Sequence, residues 1–156
     1  MHRTISKICC ADCDYSFGFY EGTGMKYSPE RVFSLEEDKP PLLVSLVEEN
    51  KVREKAIQLL AEGAEPEKEY GHELYGCKTC HHLAGKFYFR LASSAGKHVP
   101  NYRCANCKKR LKRLTENEFA TLAFKSSQME VYSESAWKCP ECNGAKLRYK
   151  VTAMWD

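Results

Sequence analysis

Eight cysteines stand in four identical C-x-x-C pairs: Cys10 and Cys13, Cys77 and Cys80, Cys104 and Cys107, Cys139 and Cys142. Two intervening residues let the chain turn tightly enough for both sulfurs of a pair to reach one ion at about 2.3 Å. Four pairs make two complete tetrahedral sets, which predicts two structural zinc ions per chain. Four-thiolate iron uses the same ligands and stays an alternative. A thioredoxin-like redox pair would need an exposed C-x-x-C opening a helix inside a βαβ pattern, and none of the four is so placed. His81 and His82 directly follow Cys80, yet four thiolates close a site without them. Cys9, the odd cysteine, is expected to pack.

The N-terminus MHRTISKICC has no apolar core of a signal peptide, and no apolar run approaches the length of a membrane span. The expected compartment is the cytoplasm, with no membrane partner, where repeated C-x-x-C pairs hold metal rather than form disulfides. With 156 residues the chain can build one domain or two small ones. Its formal charge of +3 falls to about −1 once eight thiolates and two divalent ions are counted, so any anionic partner must be argued from how charge is distributed. Residues 30–73 hold twelve acids and six bases, whereas residues 77–114 hold ten Lys or Arg and no acid. With one four-thiolate zinc site inside it, the second segment still carries about +8.

These features divide the chain into four segments. Residues 1–29 read as a strand, a knuckle and a second strand with Tyr15, Phe17 and Phe19 at alternate positions. The glycine-rich EGTGMKYSPE lacks the G-K-[ST] ending of a phosphate loop and reads as a turn, with Pro29 opening a helix after Ser28. Residues 30–73 read as an acidic helical insert, with apolar Val52, Ala56, Leu59 and Leu60 at helical spacing and a stop at Gly63. Its apolar stripe is expected to pack as core. Residues 74–114 form a basic unit in which Phe87, Phe89 and Leu91 share one face of a strand and Lys86, Tyr88 and Arg90 the other. Residues 115–156 begin with a capping box, Thr115 and Glu118, which predicts a short helix through Phe119 and Leu122. They end in KLRYKVTAMW, where Leu147, Tyr149, Val151, Ala153 and Trp155 alternate with Lys146, Arg148 and Lys150.

Loop closure does not decide which knuckles pair: nested and sequential schemes differ by only about 0.3 kcal/mol, against roughly 10 kcal/mol for a structural zinc. The strand pattern favours nesting, because the middle knuckles bracket one hairpin and the outer ones each lie beside an alternating strand. Sequential and interleaved pairings stay open.

CPECNGAKL and the hairpin from Cys77 to Cys107 resemble the zinc-ribbon, rubredoxin-like class, over about half of the chain. The layout is also similar to small bacterial proteins with several C-x-x-C knuckles and a helical insert. Asp14, His81 and Lys108 stand where a ribbon knuckle often has glycine. The resemblance implies an α+β fold of two small antiparallel zinc-ribbon units with a helical insert, and leaves the role open.

Three roles are weighed. A non-catalytic zinc ribbon that binds single-stranded RNA or DNA would use Lys86, Arg90, Lys97, Lys108, Lys109, Arg110, Lys112 and Arg113 on phosphates, with Tyr88 and Tyr102 as candidates to stack on bases. A protein adaptor would instead dock the basic ribbon on an acidic partner or on the chain's own acidic insert. A rubredoxin-like electron carrier comes third. No catalytic constellation can be assembled from the five histidines, and full knuckles leave no open position on zinc, so the chain is read as no enzyme. The oligomeric state is not legible.

Overall fold

A computed structural model describes residues 3–36, 38–120, 122–125, 128–132 and 134–155, with the backbone alone for 122–125 and 128–132. The chain opens with β1 (Thr4–Cys10) and β2 (Ser16–Glu21), followed by α1 (Pro29–Phe33), α2 (Leu43–Leu46) and α3 (Asn50–Ala61). Short β3 (Glu65–Pro66) precedes β4 (Gly71–Gly76), β5 (Leu83–Tyr88), β6 (Leu91–Ser93), β7 (Gly96–His98) and β8 (Lys112–Arg113). The last strands are β9 (Leu122–Lys125), β10 (Gln128–Tyr132) and β11 (Leu147–Met154).

The first and last segments meet in one antiparallel sheet of order β11-β1-β2. Alternation in β1 buries Ser6, Ile8 and Cys10 on one face, and Phe19 joins them from β2. Buried Ser6 is satisfied by the Glu21 carboxylate, which accepts from it at 2.8 Å and also from Thr4 at 3.1 Å and from the Tyr149 hydroxyl. The expected apolar face covers only the first part of β11, which is exposed from Lys150 onwards, and a bulge at Thr152, between the partners of Ser6 and Ile5, then shifts its register. Leu147 is fully buried, whereas Val151 is 56% and Met154 75% exposed.

The acidic segment is helical only to Ala61; Gly63 takes a φ of +97° just beyond the helix, and β3 and the start of β4 follow. Expectation of helix up to residue 73 is therefore corrected: β4 is claimed by pairing with β5 along its whole length. Pro29 is the first residue of α1 behind Ser28, as its fixed φ favours. The apolar stripe is core. Val32, Phe33, Leu43, Val47, Val52 and Ala56 pack against Tyr75, Cys77, Phe87, Phe89, Leu91, Tyr102 and Cys104.

The helix expected after Thr115 is also corrected. Its capping box forms, but it closes only a single 3-10 turn, Glu116–Glu118, before the chain extends into β9. Phe119 is instead drawn into a second apolar cluster with Ile8, Leu74, Leu83, Leu114, Trp137 and Leu147. Two cores result, and β4 belongs to both, with Leu74 facing one and Tyr75 the other.

Candidate metal centres and basic face

The eight paired cysteines come together in two groups. Cys77, Cys80, Cys104 and Cys107 form an inner one, and Cys10, Cys13, Cys139 and Cys142 an outer one, with the sulfurs of each group all within 4.8 Å of one another. The pairing is thus nested. The sulfurs stand 3.2 Å apart for Cys77–Cys107, 3.5 Å for Cys80–Cys104, and 3.6 Å for both Cys10–Cys142 and Cys13–Cys139. A tetrahedral ion with 2.3 Å bonds to sulfur requires edges of about 3.8 Å, so both groups fit such an ion with little adjustment. Each group consists of four cysteines.

Local backbone geometry builds these sets. In three knuckles the first cysteine donates its N–H to the carbonyl five residues on: Cys77 to His82 (2.9 Å), Cys104 to Lys109 (2.8 Å) and Cys139 to Gly144 (2.9 Å). The residue four positions on returns an N–H to that cysteine, and it is left-handed in each case: His81, Lys108 and Asn143, at φ near +60°. The sequence placed glycine-like positions at His81 and Lys108, and the structure demands left-handed backbone there from side chains that disfavour it. Asp14 differs: the first knuckle keeps only the bond from Cys10 to Tyr15, at 3.1 Å, without a left-handed residue.

Electrostatics explains why a cation belongs in each set. At Cys77, burial works against ionisation, but N–H donation from Cys80 and Thr79 and the Cys107 side chain outweigh it and bring the thiol to about 6. Cys10 is lowered in the same way by Asp12 and Cys13 backbone. Their neighbours cannot follow. At Cys80 the His82 N–H favours the thiolate, yet burial and the adjoining sulfurs push it up to about 12, and Cys13 rises likewise against the Tyr15 N–H. Four adjacent thiolates coexist only when a cation offsets their repulsion.

A seam that the sequence reading missed joins the two sets. Trp137, two residues before Cys139, donates its indole N–H to the His81 carbonyl at 3.1 Å and meets the His81 ring edge-on at 5.4 Å. Gly76, just before Cys77, lies under that indole so closely that a Cβ there would stand 2.5 Å from Trp137 Cζ2. The placement of Trp137 beside a knuckle was visible in the sequence; its partner across the seam was not. Cys9 joins neither set and sits on β1 opposite Ser16 and Arg148.

The residues expected to contact nucleic acid are mostly engaged. Arg90 pairs with Glu67 at 3.1 Å, Lys97 with Glu67 at 2.9 Å, Arg113 with Glu69 at 3.3 Å and Lys112 with Glu118 at 2.7 Å. Lys97 and Arg90 hold the Glu67 carboxyl below its usual range. Lys86 lies 5.6 Å from the Tyr102 ring centre, and Lys108 donates to the Ala105 carbonyl at 3.3 Å. Lys109 and Arg110 stay exposed. The two tyrosines expected to stack are covered: Tyr88 is 6% exposed under the Arg113 guanidinium, 3.9 Å from its ring centre, and Tyr102 is buried with its hydroxyl donating to the Phe87 carbonyl. The alternation of Glu65, Glu67 and Glu69 before β4 was the available sign that acids would line up beside this face.

No protein family matches the chain, and no match was found among curated proteins or solved structures. Among the described residues no helix is long and apolar enough to cross a membrane.

Proposed function

We propose that the chain is a non-catalytic, zinc-ribbon-like protein in which two structural zinc ions clasp two β units, and in which the basic middle unit docks on the chain's own acidic residues. The observation that carries the reading is the pair of closed four-sulfur sets, each with tetrahedral spacing and no place for a substrate or water on the ion. When bound, zinc would be held at the inner set by Cys77, Cys80, Cys104 and Cys107 and at the outer by Cys10, Cys13, Cys139 and Cys142, and would supply folding energy rather than chemistry. Zinc is favoured over iron because the sets tie strands together, with Cys10, Cys77, Cys104 and Cys139 buried in the two apolar clusters, a framework role that needs no change of oxidation state.

Self-docking is favoured over nucleic-acid binding by the ion pairs that Glu67 and Glu69 make with Arg90, Lys97 and Arg113. The test uses the zinc-loaded chain and 5′-hydroxyl single-stranded RNA or DNA at low salt. The wild type is expected to retain neither, and a Glu67→Gln, Glu69→Gln variant to gain weak, salt-sensitive affinity as the cations are released. Tight wild-type retention that disappears when Lys109, Arg110, Lys112 and Arg113 become glutamine would overturn self-docking and restore the nucleic-acid role.

A further inference from the structure

Self-docking leaves a remainder. Beside the inner metal centre lies a cleft of about 460 Å³, within the range of small-molecule sites, and Lys78, Arg110, Lys112 and Arg113 all line it. Lys112 and Arg113 are matched by Glu118 and Glu69, which lie outside the lining, whereas Lys78 and Arg110 have no carboxylate partner among the described residues. Two cations at the cleft are therefore left without a carboxylate partner among the described residues.

Tyr75 also lines it and is only 4% exposed, yet its hydroxyl has no hydrogen-bond partner among the described residues. Buried hydroxyls are nearly always bonded, so an orphan calls for a partner. It stands directly opposite Arg113 in the β4–β8 pairing, and the charges of Arg110 and Arg113 act on it. Guanidinium groups only donate, so they cannot accept the phenol's proton. An anion can: it accepts from the hydroxyl and pairs with both cations at once. Val99, Pro100 and Leu111 complete the wall with apolar surface.

We propose that this cleft binds a small phosphate monoester, its dianionic head held by Arg110, Arg113, Lys78 and the Tyr75 hydroxyl and its organic group lying on the Val99–Pro100–Leu111 wall. A dianion matches the two unpaired charges, and the apolar wall gives an ester an advantage over inorganic phosphate. The site shares only Arg113 with the self-docking reading, through its pair with Glu69, whereas Lys78, Arg110 and Tyr75 make no ion pair with the acidic segment.

The experiment is calorimetric titration of the zinc-loaded full chain at low salt with phenyl phosphate, inorganic phosphate, the monoanion phenyl sulfate and a 5′-hydroxyl single-stranded oligonucleotide. Expected is saturable one-to-one binding of phenyl phosphate, tighter than inorganic phosphate and tighter than phenyl sulfate. Tyr75→Phe should weaken it roughly ten-fold by removing one charge-assisted hydrogen bond, while zinc content stays at two and Tm holds or rises because an unbonded buried hydroxyl is gone. Arg110→Gln should weaken it at least as much with both zinc ions retained. Absence of saturable binding, equal affinity in Tyr75→Phe, or preference for the oligonucleotide overturns the proposal. So does loss of zinc from Arg110→Gln, which would make that cation a counter-charge for the thiolates instead.

Discussion

The two metal centres have the same ligands and nearly the same knuckles, but they hold different things together. The inner one is closed within Cys77–Cys107, and two of its cysteines, Cys77 and Cys104, are fully buried in the core that carries the helices. The outer one joins the two ends of the chain, supports the β11-β1-β2 sheet and leaves Cys142 exposed. Identical chemistry therefore has different structural leverage: each set buries two cysteines in a core of its own, but the inner one closes a local hairpin whereas the outer one clasps the first and last strands and leaves Cys142 exposed.

The largest contrast should come from the ligands themselves. Cys104→Ser removes a buried ligand from a site contributing on the order of 10 kcal/mol, comparable to the whole stability of a domain, and is expected to abolish the cooperative fold. Cys142→Ser should lose one zinc and make the terminal strands protease-sensitive while the inner unit keeps its metal. Cys9→Ser should leave both zinc ions in place. Metal analysis with limited proteolysis reads all three, and equal damage from Cys104→Ser and Cys142→Ser would erase the distinction.

Next is the seam. Gly76→Ala would place a methyl group 2.5 Å from the Trp137 indole and 2.7 Å from Leu114, and overpacking of this kind costs about 1–3 kcal/mol. A lower Tm with both zinc ions retained is the expected result; an unchanged Tm would mean that the two units do not meet tightly there.

Smaller effects separate knuckles of the same form. Lys108 pays for a left-handed backbone with an exposed side chain, so Lys108→Gly should stabilise by up to about 1 kcal/mol. His81 has the same backbone, but its ring packs on Trp137, so His81→Gly should gain nothing or lose stability. Paired thermal melts of the two variants check this, and matching shifts would remove the seam from the account.

The smallest effect is a pH dependence away from the metals. His72 accepts or donates a bond with the Tyr27 hydroxyl at 3.2 Å amid Tyr20, Phe87 and Trp155, and burial holds it below its ordinary 6.5. The unfolded chain takes up this proton more readily, so the contribution of neutral His72 is complete above pH 6.5 and is lost as pH falls below it. His72→Phe should flatten that part of the Tm profile, measured where zinc is retained; an unchanged slope would place the acid sensitivity elsewhere.

What was legible in the sequence follows a physical divide. Fixed spacing made the eight ligands readable, and short-range alternation made β2 readable, because both signals depend on residues close in the chain. Alternation made β5 readable only in part, since that strand stops at Tyr88 instead of running on to Leu91. Tertiary claims were not. The segment from Glu65 onwards is drawn into strands by pairing with β6 and β5, and Phe119 abandons a helix because a core lies within reach. Tyr88 alternates as an outward residue would, yet Arg113 comes from elsewhere to cover it, and Tyr102 is held by the Phe87 carbonyl far back in the chain. The acids opposite the cations could be counted but not located, since long-range ion pairs leave no periodic trace.

The central claim is that both four-cysteine sets are filled by zinc. X-ray absorption at the zinc edge, with metal analysis of the purified full chain, tests it most directly: the account predicts two zinc ions per chain, each with four sulfur neighbours at about 2.3 Å and no nitrogen or oxygen ligand. One zinc per chain, a mixed sulfur and nitrogen shell, or an iron-bearing coloured protein would contradict it.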